Sequence, residues 1–308
     1  DVAITAVDSS ITGAASVAIE AVKLYDNKTN LTATGASSGT TLSLATVTAD
    51  DNTFAGKYAD IKRRLGKTGD AAFHILSGVE VRSAGDLTLG ADWNLSTARA
   101  GGEVGTLTLR AKGNLKLNSN LSDGFSSATA YSSGTTPAAL LSGDSWSYRL
   151  VAGADRNAAD PLAVVKDGGD VTLAPGKLVR TGTGDIRIAS GRNITLADNK
   201  AVIYTAGRTA DAVNGFKNPP TNAYAKFSDR GGDVGLAALG DIVGAPSAQL
   251  FNNWLFREGS LTADGSAYSV QPAWWVRFDQ FQQGVGALGG GDVTITAGGN
   301  VQNVSAST

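Results

Sequence analysis

Short runs in which apolar and polar residues alternate recur along this chain, and most of them follow a Gly-Asp or Gly-Asn pair. The clearest copy begins at Gly291-Asp292, after which Val293 and Ile295 fall on one face of an extended strand and Thr294 on the other. Glycine adopts positive φ readily, while Asp and Asn tolerate it and hydrogen-bond their own backbone, so the pair suits a corner. The pattern predicts a repeating unit of one short strand and one corner.

Two such units stand eight residues apart at five places in the sequence. A fixed step of a five-residue strand and a three-residue turn is what successive faces of a parallel β-helix require. A meander would instead need many two-residue hairpin turns of the kind that Asp264-Gly265 represents. About a dozen coils, stacked about 4.8 Å apart, would form a rod about 55–60 Å long. The paired units begin at Asp86 and Asn94, Thr106 and Asn114, Asp185 and Asn193, Asp233 and Asp241, and Asp292 and Asn300.

One stretch between the weakly patterned N-terminal residues and the repeats has helical spacing instead. Its apolar residues recur at intervals of four, three and four, and the residues between them are largely basic. Thr53 suits the start of a helix and Gly66 its end. We therefore predict one amphipathic helix over 53–66, lying on or capping the β body. The apolar positions are Phe54, Tyr58, Ile61 and Leu65.

An aromatic insertion, 247–283, interrupts the repeats near the end of the chain. Trp274, Phe278 and Phe281 are helically spaced, Pro272 suits a first helical turn and Gly284 an end, so we predict a short helical insertion. Its aromatic side chains either pack against one side of the rod or form a platform that stacks a sugar or another partner. The candidate contact residues are Trp254, Phe256, Arg257, Trp274, Trp275, Arg277, Phe278 and Phe281.

Together these patterns predict an all-β protein: a parallel β-helix with irregular loop insertions and two short helical segments. We divide the chain into a weakly defined N-terminal β and loop segment, 1–52, and a β-helix body, 53–308. A unit at 169–173 has no partner at the eight-residue step, and 118–147 and 207–230 are polar interruptions of the coils.

The amino-acid composition argues against several classes of partner and site. With 26 basic and 28 acidic residues the chain has no basic bias, so we expect neither nucleic acid nor an anionic membrane as a partner. There is no cysteine, which excludes disulfides, Cys-type zinc sites and thiol catalysis. No apolar run is long enough to span a membrane. The segment Gly289-Gly290-Gly291-Asp292 does not match a calcium-binding nonapeptide, and we predict no metal and no cofactor.

Catalysis is the alternative that we consider, because paired carboxylates hydrolyse glycosides and β-helices host polysaccharide-cleaving sites. Five aspartates lie close in sequence, but most Asp residues here follow Gly at corners, where they form turns. The lone histidine, His74, lies between Phe73 and Ile75, and we expect it to be a hydrogen-bonded structural residue. We therefore predict no catalytic residue. The five aspartates are Asp144, Asp155, Asp160, Asp167 and Asp170.

Three stretches resemble filamentous-haemagglutinin-like exoproteins, which are large bacterial surface proteins exported by two-partner secretion. They are Ser83-Ala84-Gly85-Asp86-Leu87-Thr88-Leu89, the run at 274–293 that opens with Trp274-Trp275, and Ala297-Gly298-Gly299-Asn300-Val301. The resemblance covers 50–308. The Asn-Pro-Asn motifs of the family's secretion domain are absent, with Asn218-Pro219-Pro220 the nearest approach, so we expect an interior or C-terminal segment of such a protein.

The resemblance implies a right-handed parallel β-helix on the bacterial surface or secreted from it. It implies a non-enzymatic stalk for adhesion, aggregation or self-assembly, and an outer-membrane transporter of the two-partner type as an export partner. The expected partners are a host or bacterial surface glycan or protein, or other copies of the chain joined end to end. The alternatives are a β-helix polysaccharide lyase or hydrolase, and the delivery stalk of a contact-dependent toxin.

Overall fold

A computed structural model of the chain describes residues 13–35, 37–99, 101–217 and 222–308, which leaves Asn218-Pro219-Pro220 and 1–12 outside the described residues. The protein is mostly β, and its strands form three large parallel sheets. Sheet A contains Val17–Tyr25, Phe73–Ser83, Thr106–Ala111, Ser147–Ala152, Ile186–Ser190, Val234–Ala238 and Val293–Ala297. Sheet B contains Thr41–Ser43, Asn30–Thr32, Leu87–Leu89, Leu115–Leu117, Val171–Leu173, Ile194–Leu196, Ile242–Val243 and Val301–Gln302. Sheet C contains Trp93–Asn94, Leu121–Ser122, Leu178–Thr181, Val202–Thr205, Val285–Ala287 and Ala306–Ser307.

The chain passes through the sheets in a constant order. From Phe73 onward each pass runs through sheet A, then B, then C, and each strand pairs in parallel with its counterpart from the previous pass. Sheet A holds seven strands, fewer than the dozen coils expected, because long insertions take up much of the chain. At about 4.8 Å per strand, the stack is about 29 Å long.

The eight-residue step leads from a strand of one parallel sheet to a strand of the next sheet. Four of the five pairs start a strand of sheet A and then one of sheet B, as Asp233 and Asp241 do. The earliest pair is shifted by one face, because Asp86 precedes a strand of sheet B and Asn94 lies in sheet C. The unpartnered unit at 169–173 supplies the sheet B strand of a pass whose sheet A strand, Ser147–Ala152, lies before a long loop.

The Asx residues at these corners hold successive passes together. Before sheet B, a side-chain oxygen of each Asx residue accepts a hydrogen bond from the backbone N–H of the Asx residue in the next pass, over 2.6 to 3.0 Å. Hydrogen bonds from Lys116 and Arg192 lower the pKa of Asp86 and Asp170, so both stay ionised and act as acceptors. We call this series, with its counterpart before sheet A, the corner ladders. The sheet B series is Asp86, Asn114, Asp170, Asn193, Asp241 and Asn300.

The shorter corner ladder lies before sheet A. The hydroxyl of Ser147 accepts from the Asp185 N–H (3.1 Å), and the carboxylates of Asp185 and Asp233 accept from the N–H groups of Asp233 and Asp292, each over 2.9 Å. Asp292 is therefore a corner residue, as the sequence predicts. Apolar side chains from all three sheets pack together and form one continuous core.

The predicted helix over 53–66 is wrong in extent. The structure has two helices, α1 (Leu44–Ala55) and α2 (Tyr58–Arg64). Thr53 lies inside α1 and its hydroxyl bonds back to the carbonyl of Ala49, so it is not the cap. Gly66 has φ +70° and ends α2 as predicted, because its left-handed conformation lets Lys67 N–H reach the Lys62 carbonyl.

Helix α1 begins nine residues earlier than expected because its buried side chains, Leu44 and Val47, contact the core and not solvent. They pack on the core beside the first strands of sheets A and B, as expected for a helix that lies on or caps the β body. At the other end, the last strand of each sheet pairs on one side only, and Val301 is 50% exposed.

The predicted helical insertion at 247–283 is also wrong. It is an antiparallel hairpin of Leu255–Leu261 and Tyr268–Val276, flanked by short 3-10 turns at Phe251–Asn253 and Phe278–Gln280. Asp264-Gly265 lies in its turn, with Gly265 at φ +70°. Because Trp274 and Trp275 are adjacent in a strand, their rings lie on opposite faces of it. The helical spacing of Trp274, Phe278 and Phe281 led to the wrong prediction.

Candidate functional site

Two insertions cover the outer face of sheet C. On this face Leu178, Val202 and Tyr204 pack with Phe125 and Leu140 of the loop that follows the strand Leu121–Ser122. Trp254, Phe278 and Phe281 of the aromatic insertion pack into the same cluster, where the Trp254 and Phe281 rings meet edge to face at 5.1 Å. The insertion is therefore anchored to sheet C by its own aromatic residues, which supports the packing interpretation for these three candidates.

The hairpin has one buried face as well. Trp275 is fully buried and packs edge to face on Phe216, with ring centroids 5.6 Å apart. Phe256, which pairs with Trp275 across the hairpin, belongs to the same cluster and is half-buried. These two candidates serve to dock the hairpin on the loop that contains Phe216.

Arg277 is held in a local ion pair. Its guanidinium lies 2.6 Å from the buried carboxylate of Asp279, donates to Asn222 at 3.2 Å and lies over the Tyr224 ring. The hydrogen bond to Asp279 raises the pKa of Arg277. Both charges are thus satisfied within the protein, and Arg277 is not placed to receive a ligand.

The opposite face of the hairpin is open to solvent and carries the remaining two candidates. Trp274 is 46% exposed and pairs with Arg257 in the hairpin register. Tyr268 is 39% exposed and lies on the same side of the hairpin, because one guanidinium, that of Arg257, contacts both rings. The Arg257 guanidinium lies 5.9 Å from the Trp274 ring and 5.4 Å from the Tyr268 ring, and it donates a hydrogen bond to the Tyr268 hydroxyl. We name these three residues the aromatic platform.

The chemistry of the aromatic platform is that of a binding surface. Two exposed ring faces offer stacking area, and the guanidinium between them offers donors for hydroxyl or carboxylate groups. Among the described residues no carboxylate forms an ion pair with Arg257, so its charge is left for a partner. Sequence reasoning missed Tyr268. Taking Asp264-Gly265 as a hairpin turn would have placed it on one strand with Trp274, but the register shifts between them break the simple two-residue alternation.

The five clustered aspartates do not converge. Asp170 belongs to a corner ladder, Asp155 and Asp160 each accept the backbone N–H two residues on, and Asp144 pairs with Arg208 at 3.1 Å. Asp167 occupies a left-handed turn position at φ +63°. Four of the five positions reflect the turn-forming role that the sequence indicates for most Asp residues, and Asp144 forms an ion pair instead.

His74 is hydrogen-bonded, as expected of a structural histidine. Its Nδ1 lies 2.8 Å from the Glu103 carboxylate, and the Tyr58 hydroxyl of helix α2 donates to the same carboxylate at 3.3 Å. Burial of the hydroxyl raises the pKa of Tyr58. This cluster ties α2 to the strand Phe73–Ser83.

Within the described ranges, no three His, Cys, Asp or Glu side chains lie close enough to hold a metal ion, and no helix has the length and apolar character needed to cross a membrane. Comparisons with protein-family models, with curated proteins and with solved structures find no significant match. The functional argument therefore depends on the geometry of this chain and on the sequence resemblance given above.

Proposed function

We propose that this chain is a segment of an extracellular, non-enzymatic parallel β-helix of the filamentous-haemagglutinin-like kind, which acts as a stiff stalk and presents a binding surface. The corner ladders support the stalk part of the proposal. Each one links a pass to the next through the same kind of hydrogen bond, from a backbone N–H to a side-chain oxygen, and this repetition favours a regular coil. The right-handed sense comes from the sequence resemblance, as does export through a two-partner transporter to the bacterial surface.

The aromatic platform supports the adhesive part of the proposal. It lies on a hairpin whose other face is anchored by Trp275, so its two exposed rings are held on a rigid base. Exposed aromatic rings beside an unpaired guanidinium suit the stacking and hydrogen bonding of a surface glycan. Copies joined end to end would meet at the last strands of the sheets, since helix α1 packs on the core beside the first strands of sheets A and B.

We predict that Trp274→Ala weakens binding of the chain to glycan-bearing surfaces by roughly tenfold, because it removes the larger stacking face. The measurement is a dissociation constant on a glycan array or on intact host and bacterial cells. The thermal unfolding midpoint should not change, since the ring is 46% exposed.

Phe251→Ala is the matched control, because Phe251 is an aromatic residue of the same insertion that is 60% exposed and lies outside the platform. It should bind as the unmodified chain does. Equal loss in both variants, or no loss in Trp274→Ala on a surface that the unmodified chain binds, would count against the platform as the contact site.

A further inference from the structure

A cleft of about 540 Å³ lies between helix α1 and the first two strands of sheet A, at the end of the molecule far from the aromatic platform in sequence. It is independent of the proposed function. One wall is formed by α1 and the other by the paired strands Val17–Tyr25 and Phe73–Ser83. Most of the lining is apolar, which suits the hydrocarbon part of a small ligand. The apolar lining residues are Ala21, Val22, Val47, Phe54 and Val79.

Two polar side chains in this lining each have a buried oxygen atom without a hydrogen-bond partner. Asp51 is 7% exposed and its Oδ2 accepts no hydrogen bond, and Ser77 is 3% exposed with an unpaired hydroxyl. Burial of a carboxylate oxygen without a hydrogen bond is costly, so such atoms in folded proteins usually have a partner. The cleft therefore offers two unused acceptors, one of them on a carboxylate, beside an apolar wall.

The neighbouring charges leave Asp51 to a ligand. The adjacent Asp50 accepts a hydrogen bond from the Tyr25 hydroxyl at 2.6 Å, and the Lys23 ammonium lies 3.8 Å from the same carboxylate. Asp50 is thus satisfied within the protein, whereas Asp51 has no cation paired with it among the described residues. Lys57 also lines the cleft, but it forms no ion pair with Asp51.

We propose that this cleft binds a small primary amine whose ammonium group reaches Asp51 and Ser77 and whose alkyl or aryl body lies against the apolar wall. An ammonium ion carries three donors and a compact positive charge, which matches two acceptors of which one belongs to a carboxylate. A carboxylate ligand would place a second negative charge beside Asp51. A neutral alcohol would satisfy one acceptor and leave the charge of Asp51 unpaired.

The test compares phenethylammonium with phenethyl alcohol, which has the same body and no charge, by isothermal titration of the full chain at neutral pH. Because hydrogen bonds to charged groups exceed neutral ones, the amine should bind at least about tenfold more tightly. Equal affinity for the two probes would overturn the proposal, and so would the absence of saturable amine binding.

Two variants locate the site. Asp51→Asn keeps the shape of the side chain and should weaken amine binding by about tenfold while leaving alcohol binding unchanged. Ser77→Ala removes an unpaired hydroxyl, so the fold should tolerate it, and amine binding should fall by about threefold. Asp60→Asn, on the exposed surface of α2, is the control and should bind as the unmodified chain does. Unchanged amine affinity in both Asp51→Asn and Ser77→Ala would place the amine elsewhere and refute the assignment.

Discussion

Gly184→Ala should destabilise the protein by about 3 kcal/mol or more, because a Cβ atom at this position would lie 2.0 Å from the carbonyl oxygen of Trp146 in the previous pass. The obstacle is backbone, which cannot move without breaking the stack. The same contact recurs one pass later, where a Cβ on Gly232 would lie 2.4 Å from the Gly184 oxygen. Glycine in the Gly-Asp pair is thus required here by the close approach of two passes, since neither residue has a positive φ.

Gly85→Ala is the matched control for this experiment. Gly85 also precedes Asp in a repeat unit, yet a Cβ atom there would have nothing within 4 Å. Its substitution should change the free energy of unfolding by less than about 0.5 kcal/mol. Urea denaturation of the two variants shows whether the glycine is needed for close packing between passes or for the conformation of the turn. An equal loss of stability in both variants would show that close packing is not the reason.

Arg180→Met should cost about 3 kcal/mol of unfolding free energy. Arg180 is fully buried in sheet C, and its guanidinium lies 3.7 Å from the centre of the Phe125 ring. It donates to the carbonyls of Ser127 and Thr129, each at 2.7 Å. Methionine fills much of the volume but leaves the half-buried Thr129 carbonyl without a donor and the Ser127 carbonyl with only the Ser122 hydroxyl at 3.3 Å. A buried polar group that loses its partner costs about 1–3 kcal/mol. The affected carbonyls belong to the loop that supports the aromatic insertion.

The control is Arg187→Met, because Arg187 is 37% exposed on sheet A and pairs with Asp233 at 3.1 Å. An exposed ion pair contributes about 0–1 kcal/mol, so this variant should unfold near the midpoint of the unmodified chain. Arg180→Met should also make the loop between Phe125 and Leu140 more susceptible to limited proteolysis. If the two variants lose stability equally and the loop stays resistant, Arg180 is not the residue that holds it.

The repeats were predictable because their signal is local. Each Asx residue forms a corner that its own sequence favours, and the apolar positions that follow, such as Ile186 and Ile188, point into the core in every pass. The corner ladders extend this signal, since the residue types that suit a corner also supply the acceptor for the next pass. The eight-residue step therefore predicted that the two strands of a pair join neighbouring sheets. The pair that begins at Asp86 differs only in being shifted by one sheet.

The insertions were harder to predict because partners distant in sequence decide their structure. Phe278 and Phe281 bury their rings against Tyr204, which lies more than 70 residues away and gives no local signal. Six of the eight candidate contact residues pack or pair inside the protein; five of them do so with partners distant in sequence, and Arg277 pairs with the nearby Asp279. Helix α1 likewise begins as early as Leu44 because Leu44 and Val47 pack on the core. The apolar spacing over 53–66 gives no information about this contact.

The parallel register of the stacked passes is the central claim, and disulfide cross-linking tests it most directly. The chain has no cysteine, so a pair can be introduced without competing thiols. Thr172 and Thr195 are register neighbours in sheet B, and adjacent strands about 4.8 Å apart fall within the Cα separation that a disulfide spans. Thr88 and Thr195 lie on the same line but three strands apart. Under mild oxidation, Thr172→Cys with Thr195→Cys should form an intramolecular disulfide, and Thr88→Cys with Thr195→Cys should not; the reverse result would contradict the stacked arrangement.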